Sequence, residues 1–333
     1  MLIMSIETSC DETAIAICEN GRKVLTDQIF SQADLHAVYG GVVPEIASRS
    51  HVEVISQLAQ RALTVTGLQK SDLDAIAVTY APGLIGALLV GVNFAKSAAF
   101  ALDIPLIPVH HIKGHVAANY IAFPQLAPPF LCLAISGGNT LLIDVKDYTD
   151  MEILGATRDD AAGECFDKTA RILGLPYPGG KHIDTLSRNG DDTKYPLPRA
   201  NIEGSLWDMS FSGLKTAVIN LVHKAEQKGE ELDRACLASS FTRAVSDSLV
   251  PRTMALAREL GYKKIAVAGG VAANSRIRQD FETAAKNEGV ELFIPPLSLC
   301  GDNAAMIGCQ GYYEFLAGVR AGTDLNAYAN MEL

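Results

Sequence analysis

The sequence lacks the cysteine pattern of a secreted or zinc-ribbon protein. Its seven cysteines are odd in number and include no C-x-x-C pair. This argues against a disulfide framework and against a cysteine-based zinc site. Because free thiols are typical of a reducing compartment, we expect a cytoplasmic protein.

Positive charge is also in short supply. The chain carries 28 Lys and Arg residues against 38 Asp and Glu residues, a formal net charge of −10. Since phosphate contacts need cationic side chains, this balance argues against a protein that binds nucleic acid unaided. A nucleic-acid role would need a partner or a local basic surface.

No segment has the pattern of a signal peptide or a clear membrane span. The apolar run at residues 2–6 has no basic region before it, and Glu7 follows at once, unlike a signal peptide. Residues 75–95 are uncharged and about as long as a spanning helix. Pro82 and Gly83 interrupt them, which favours a buried strand, a turn and a buried helix, and we expect no membrane contact.

Two common nucleotide-binding fingerprints are missing. The chain has no G-x-x-x-x-G-K-[ST] sequence and no G-x-G-x-x-G after its first predicted strand. This excludes a P-loop and argues against Rossmann dehydrogenase chemistry.

What the sequence does contain is one structural plan used twice. Residues 2–18 and residues 131–145 each read as two apolar runs joined by a polar or glycine-rich tip, which predicts a β-hairpin. Later in each half, residues 75–86 and 264–274 read as a strand, a Gly-containing turn and a helix start. Strands that alternate with helices indicate mixed α/β layers.

This repeated plan is typical of the actin-like, sugar-kinase-like α/β fold, in which two duplicated lobes enclose a central nucleotide cleft. We predict a first lobe at residues 1–125, on which a C-terminal helix at 303–333 packs back. The second lobe is predicted at 126–302, with an insertion near 150–210. The alternative is an unrelated α/β protein with ordinary glycine turns.

Three glycine turns are candidate ligand-binding loops. The Ser-Gly-Gly-Asn turn at 136–139 could donate several N–H groups to a phosphate, because glycine leaves the backbone open. Residues 269–274 could let a base or ribose approach the backbone. The third turn, at 177–180, is flanked by Asp167 and Asp184, which could accept hydrogen bonds from ligand hydroxyls. The alternatives are a plain hairpin turn, a close-packed helix start and turn-capping aspartates.

A histidine pair predicts a metal site. Three of the seven histidines lie in residues 110–115. His111 and His115 are four residues apart, so on a helix their rings would share one face and could bind one ion. Zinc proteases with H-E-x-x-H place the general base directly after the first histidine, but Ile112 stands there. The ion would then orient or polarise a ligand, unless the pair is purely structural.

Two imidazoles need a further ligand, usually an oxygen. Asp302 follows Pro295, Pro296 and a polar turn and precedes an apolar segment. It is the best distant candidate from the residues alone, with a helix cap as the alternative.

A set of motifs in order along nearly the whole chain resembles the TsaD family, the bacterial tRNA threonylcarbamoyladenosine transferase subunits once described as O-sialoglycoprotein endopeptidases. The motifs are IETSCDET at 6–13, GGVVPE at 40–45, PGLIGALLVG at 82–91, His111 with His115, AAGE at 161–164, FDK at 166–168, YPGG at 177–180, FSGLKT at 211–216 and AGGVAAN at 268–274.

The resemblance implies an actin-like fold and an acyltransferase. This enzyme would transfer a threonylcarbamoyl group from threonylcarbamoyl-AMP to the exocyclic amine of the adenosine beside the anticodon, in tRNAs that read A-starting codons. It further implies one divalent metal per subunit on His111, His115 and Asp302. The metal is iron(II) in the family, and zinc would suit the same ligands. The implied substrate-binding residues are Ala134, Ile135, Ser136, Gly137, Gly138, Asp167, Gly180, Asp184 and Asn274.

The resemblance also implies protein partners. These are a non-catalytic paralogue, TsaB, an ATPase, TsaE, and TsaC as the supplier of the adenylate. A tRNA surface built with such helpers would ease the objection from net charge. The sequence departs from the family's usual residues at Asn139, Gly301 and Cys165, none of which is a proposed ligand.

Catalysis would then work by positioning and by stabilisation of charge. We expect Asp11 to orient or deprotonate the attacking amine, with a cap on its own hairpin turn as the alternative. The rival functions are a metallo-endopeptidase, a non-catalytic nucleotide-binding scaffold and a sugar kinase.

Overall fold

The computed structural model describes residues 1–202 and 204–333. The chain forms two compact units. Unit 1 is discontinuous and consists of Met1–Pro128, Lys146–Met151 and Pro295–Leu333. Unit 2 consists of Pro129–Val145 and Glu152–Ile294.

Each unit contains a five-stranded sheet, and the two sheets have the same strand order. In unit 1 the order is β3-β2-β1-β4-β5. The corresponding order in unit 2 is β8-β7-β6-β9-β10. The strands are β1 (Leu2–Glu7), β2 (Glu12–Glu19), β3 (Lys23–Ser31), β4 (Ala75–Ala81), β5 (Leu106–His110), β6 (Phe130–Ile135), β7 (Thr140–Val145), β8 (Met151–Ala156), β9 (Lys264–Ala268) and β10 (Glu291–Phe293).

The pairing directions match as well. β1 and β6 each pair antiparallel with the next strand of a hairpin, β2 or β7. Each also pairs parallel with a strand that follows much later, β4 or β9. In the register of unit 1, Ile3 of β1 pairs with Cys18 of β2 and with Ala75 of β4. In unit 2, Leu131 of β6 pairs with Asp144 of β7 and with Ile265 of β9. The two predicted hairpins and their later partner strands are therefore confirmed as one plan used twice.

Ten α-helices lie in the described residues. They are α1 (Ala33–Ala37), α2 (Pro44–Thr66), α3 (Ile85–Leu102), α4 (His111–Ala122), α5 (Ala162–Ile172), α6 (Gly179–Ser187), α7 (Ser212–Lys228), α8 (Arg234–Leu260), α9 (Ser275–Glu288) and α10 (Ala304–Leu316). The C-terminal helix is shorter than the predicted 303–333, since α10 ends at Leu316. The predicted helix start at 269–274 is a 3-10 turn, Gly270–Ala273, and α9 begins only at Ser275.

Helix α3 covers most of the uncharged segment. Among the described residues it is the one helix long and apolar enough to cross a membrane by length and composition. It packs on α2 and β4, and Leu88, Val92 and Ala95 are fully buried in the core of unit 1. Burial of this face is what a core helix of a globular unit requires.

Helix α10 packs closely on α4 and on the sheet of unit 1. Glycine makes this approach feasible: a Cβ on Gly114 of α4 would lie 2.7 Å from Ile307, and one on Gly311 would lie 2.6 Å from Ala77. The Ser5 hydroxyl of β1 also donates to the Ala304 carbonyl at 2.6 Å. The start of α10 is thereby held beside the start of α4.

Candidate metal centre and ligand-binding loops

Two histidines face one carboxylate in unit 1. His111 is the first residue of α4 and His115 lies one turn later. The two rings are nearly perpendicular, at 79°. The His111 Nε2 atom lies 3.6 Å from Asp302 Oδ1, and the His115 Nε2 atom lies 3.2 Å from it. The structure thus brings together three side chains that are up to 191 positions apart in the chain, 111 and 302 being the extremes.

The ring nitrogens of His115 show that these side chains suit a metal ion. Both nitrogens are buried, and neither has a well-aligned hydrogen bond with the described residues. A buried polar atom without a partner is unfavourable. An ion between His115 Nε2 and Asp302 would give this nitrogen a partner. The three ligand atoms lie within 4.8 Å of one another, and the two distances to Asp302 Oδ1, 3.6 and 3.2 Å, match the spacing of about 3–4 Å expected for atoms about 2 Å from one ion. Two imidazoles and a carboxylate therefore fit a divalent cation.

The Asp302 side chain can face the two histidines because the next residue, Asn303, caps helix α10. Asn303 Oδ1 accepts a hydrogen bond from the Met306 N–H at 2.9 Å, which caps α10. The alternative role considered for Asp302, a helix cap, therefore belongs to Asn303. Burial raises the pKa of Asp302, but the positive charge of His111 and the contact with His115 outweigh it and bring the pKa to about 2.

Glu7 contacts the other side of His111, and sequence reasoning missed it. This carboxylate ends β1, is fully buried, and lies 3.1 Å from His111 Nδ1 through Oε2. Burial raises the pKa of Glu7, yet the charge and hydrogen bond of His111 hold it below its usual value. The signal was a carboxylate directly after an apolar strand, since buried charges are rare unless paired.

The hairpin tip between β1 and β2 carries two more carboxylates. The backbone carbonyl of Asp11 accepts from the Gln32 N–H at 3.1 Å, and Ser31 donates to Glu12 Oε1 at 3.0 Å. Burial raises the pKa of Glu12 to about 9, and the negative charges of Asp11 and Asp302 add to this. The tip and the His-His-Asp group are therefore within electrostatic range of each other.

The raised pKa of Glu12 predicts that the free energy of unfolding depends on pH. The pKa of Glu12 is about 9 in the folded protein, against an ordinary value of 4.5. The folded protein therefore holds the Glu12 proton more tightly than the unfolded chain does. The resulting contribution to the free energy of unfolding is fully present below pH 4.5 and is lost as pH rises towards 9. Gln cannot ionise. Glu12→Gln should therefore raise the free energy of unfolding of the metal-free protein by about 1–3 kcal/mol at pH 8, and by much less at pH 5. Denaturant unfolding across this pH range measures it.

The control for this prediction is Glu53→Gln, which changes an exposed glutamate of the same unit. As a surface substitution, it should change the free energy of unfolding by no more than about 0.5 kcal/mol. A difference between Glu12→Gln and wild type that is constant from pH 5 to pH 9 would contradict the raised pKa.

In unit 2 the turn at 136–139 lies against the start of α5. The Gly163 N–H donates to the Ser136 carbonyl at 3.2 Å, and the Glu164 N–H donates to the Gly137 carbonyl at 3.1 Å. A Cβ on Gly163 would lie 2.4 Å from the Ser136 oxygen, so only glycine allows this approach. By contrast, a Cβ on Gly137 or on Gly138 would meet nothing within 4 Å. One face of the turn is packed and the other is open.

The residues before this turn are buried. Ala134 and Ile135 end β6 and are buried. Gly269, at φ +91°, lies so close that a Cβ there would be 2.5 Å from the Ile135 carbonyl oxygen. This contact places the turn that follows β9 beside the end of β6.

The two predicted aspartates both hold helix starts. Asp167 Oδ1 accepts from the Gly179 N–H at 2.7 Å, at the first residue of α6. Asp184 Oδ1 accepts from the Ser275 N–H at 2.9 Å and from its hydroxyl at 2.6 Å, at the first residue of α9. Arg188 donates to the other oxygen of Asp184 at 2.7 Å. The capping roles considered as alternatives are therefore present, and they connect α5, α6 and α9.

Asn274 combines a structural contact with an unused donor. Its Oδ1 atom accepts from the Ile277 N–H at 3.1 Å and caps α9. Its Nδ2 atom is buried and has no hydrogen-bond partner among the described residues. Gly180, in the first turn of α6, has open space where a Cβ would stand. Unit 2 thus offers an amide donor and open glycine backbone to a ligand.

Comparison with known proteins decides the family. A sequence profile of TsaD, tRNA N6-adenosine threonylcarbamoyltransferase, matches residues 23–309. The chain belongs to the TsaD family. A relative from Clostridium botulinum strain 657 with that name is 52% identical over 331 residues, which are 99% of this chain and 97% of the relative. A relative of the same name from Moorella thermoacetica is also 52% identical, over the same shares of the two chains.

The family match confirms the predicted activity class. The protein is an acyltransferase that acts on tRNA, as members of the TsaD family are. These comparisons give no support to the alternatives of a metallo-endopeptidase or a non-catalytic scaffold.

Solved structures confirm the fold. HypF of T. kodakarensis superposes with a TM-score of 0.62 at 16% identity, over 97% of this chain and 49% of that chain. Component A of the (R)-2-hydroxyglutaryl-CoA dehydratase of Acidaminococcus fermentans gives a TM-score of 0.53 at 17% identity, over 94% and 97%. At these identities the likeness concerns the fold alone, and that fold is the predicted actin-like α/β fold.

Proposed function

We propose that this TsaD-family enzyme transfers the threonylcarbamoyl group of threonylcarbamoyl-AMP to the N6 amine of the adenosine beside the anticodon, in tRNAs that read A-starting codons. The observation that carries the proposal is the meeting of His111, His115 and Asp302 in a member of the family. Ile112 follows the first histidine, so a water-activating glutamate of the zinc-protease type is absent from that position.

The reaction is a carbamoyl transfer. The amine nitrogen forms a bond to the carbonyl carbon of the donor, and the bond from that carbon to the phosphate oxygen breaks. AMP leaves with the electron pair, and the amine gives up one proton. Positioning and charge stabilisation supply the rate enhancement in such a transfer.

One divalent cation would be held by the two Nε2 atoms and the Asp302 carboxylate. Iron(II) and zinc both accept this donor set. When bound, such an ion supplies positive charge to a carbonyl or carboxylate oxygen. Asp11, on the hairpin tip of the same unit, is proposed to orient the amine and take its proton.

Unit 2 is proposed to hold the adenylate part of the donor. Gly137 and Gly138 leave one face of their turn open, so backbone N–H groups there can approach a phosphate. The buried Asn274 amide has a hydrogen to donate. Asp167, Gly180 and Asp184 complete the proposed set, with the aspartates also holding the helix starts.

The proposed partners follow from the family and from the charge of the chain. With a net charge of −10, the chain needs help to hold a polyanion. We propose TsaB and TsaE as the helpers, TsaC as the source of the adenylate, and the cytoplasm as the compartment.

Reconstitution tests this function. The protein is mixed with TsaB, TsaE, TsaC, tRNA, threonine, bicarbonate and ATP, and modified adenosine is measured by mass spectrometry of digested tRNA. We expect product, its loss on chelation, and its return with iron(II) or zinc. Asp11→Asn should reduce transfer by about 10²-fold or more, as loss of a general base does, while Asp103→Asn, at an exposed position, should not. Full activity after chelation would exclude the metal, and absence of product with every component present would exclude the reaction.

A further inference from the structure

We propose that Glu7 is the positioning residue of the metal centre: it sets the tautomer of His111 so that Nε2, and not Nδ1, binds the ion. This inference deepens the proposed function and depends on its metal centre. It concerns a buried residue that is not one of the three proposed metal ligands.

Hydrogen bonds hold the Glu7 carboxylate in one orientation. Its Oε1 accepts from the Ser9 N–H at 2.5 Å, and its Oε2 accepts from the Thr79 hydroxyl at 2.6 Å. The side chain is fully buried at the end of β1. Both oxygens are thus fixed by donors from two neighbouring segments, which leaves the carboxylate no freedom to turn.

The His111 ring lies between two carboxylates. Its Nδ1 lies 3.1 Å from Glu7 Oε2, and its Nε2 lies 3.6 Å from Asp302 Oδ1 on the other side of the ring. An ionised carboxylate can only accept hydrogen bonds, so Nδ1 must carry the hydrogen. In the neutral ring, the lone pair is then on Nε2, which faces Asp302. Carboxylates that orient metal-binding histidines in this way are a recurring feature of metal sites.

The Ser9 hydroxyl is the other contact of the same ring nitrogen. It lies 3.2 Å from His111 Nδ1. A hydroxyl can donate or accept, so it adapts to either tautomer and cannot select one. The selection therefore falls to Glu7.

His115 supplies an internal comparison. Its Nδ1 atom is buried and has no hydrogen-bond partner among the described residues. Among the described residues no carboxylate accepts a hydrogen bond from this Nδ1, and the carboxylate beside the ring, Asp302, lies on the Nε2 side. The two histidines are therefore unequal: His111 is prepared for the ion, and the tautomer of His115 follows from binding.

The test is Glu7→Gln, which keeps the shape and removes the charge. The Ser9 N–H requires an oxygen at the Oε1 position, so the glutamine NH₂ would face His111 Nδ1 and favour the tautomer with hydrogen on Nε2. We expect zinc and cobalt(II) affinity, measured by chelator competition, to fall about 10–100-fold. The visible spectrum of the cobalt(II) form should change. Ser9→Ala should have a small effect, and Glu53→Gln, at an exposed site, none.

A second measurement needs no variant. The ¹⁵N imidazole NMR spectrum of the zinc-loaded wild-type protein should show His111 with zinc on Nε2 and hydrogen on Nδ1. The opposite tautomer would overturn the proposal, as would unchanged metal affinity in a folded Glu7→Gln protein. A purely structural role would lower the melting temperature of the metal-free variant and leave its metal affinity intact. If the wild-type protein bound no metal, the proposed metal centre would fail together with this inference. If the wild-type protein bound metal and Glu7→Gln bound it equally well, this inference alone would fail.

Discussion

Replacing His115 by alanine should reduce threonylcarbamoyl transfer by at least about 10²-fold in the reconstituted system. Loss of a residue that only supports a metal ligand lowers metal affinity or activity about 10–100-fold, and loss of the ligand itself should lower them further. The side chain is 2% exposed, and its Nε2 atom faces the Asp302 carboxylate at 3.2 Å. Metal content of the purified protein should fall in parallel. Metal analysis and the transfer assay on the same preparation measure both.

The matched control is His223→Ala, which removes an exposed histidine on α7. It should keep full metal content and activity. Thermal unfolding of the metal-free proteins separates loss of the ligand from loss of the fold. Normal metal content together with normal transfer in His115→Ala would disprove the proposed metal centre.

Gly163→Ala should destabilise the protein and weaken donor binding. Its new Cβ would lie 2.4 Å from the Ser136 carbonyl oxygen and 2.8 Å from Gly137 Cα. Both are backbone atoms, which cannot rotate away as a side chain can. We expect the free energy of unfolding to fall by about 1–3 kcal/mol, as for an overpacked core. Displacement of the turn should also weaken binding of AMP, which isothermal calorimetry can measure.

Gly213→Ala is an unusually close control. Gly213 is the second residue of α7, as Gly163 is the second residue of α5. A Cβ on Gly213 would meet nothing within 4 Å. Its replacement should be neutral or stabilising by up to about 1 kcal/mol, since alanine is the better helix former. Equal stability changes in the two variants would show that close packing of α5 on the turn is not required.

The fold was predictable where local pattern and burial agree. Residues 2–18 and 131–145 alternate apolar runs with polar tips, and both form hairpins in the structure. The ends of elements were less predictable. Val271, Ala272 and Ala273 have the composition of a helix start, but they form a 3-10 turn. The cap that decides the start of α9 is Asn274, through its bond to Ile277.

The site shows a similar limit. His111 and His115 are close in sequence, so helical spacing alone suggested a metal pair. Spacing could not decide on Asp302, because only the packing of α10 on α4 brings it near; the residues alone made it the best distant candidate, and the family resemblance implied it as a ligand. Glu7 was missed because its partner, His111, lies 104 positions away. Contacts between residues so far apart in the chain depend on tertiary structure and leave no periodic pattern in the sequence.

The discontinuity of unit 1 has a consequence for how the enzyme is made in the cell. Two of the proposed metal ligands precede unit 2 in the chain, and the third follows it. A ribosome must therefore translate all of unit 2 before the third ligand exists. Since domains form as synthesis proceeds from the N-terminus, the nascent chain has both imidazoles but lacks the third ligand for as long as unit 2 is being translated. Metal loading is thereby deferred until unit 2 has been translated, so products terminated within unit 2 would lack the third ligand and would bind the metal with lower affinity.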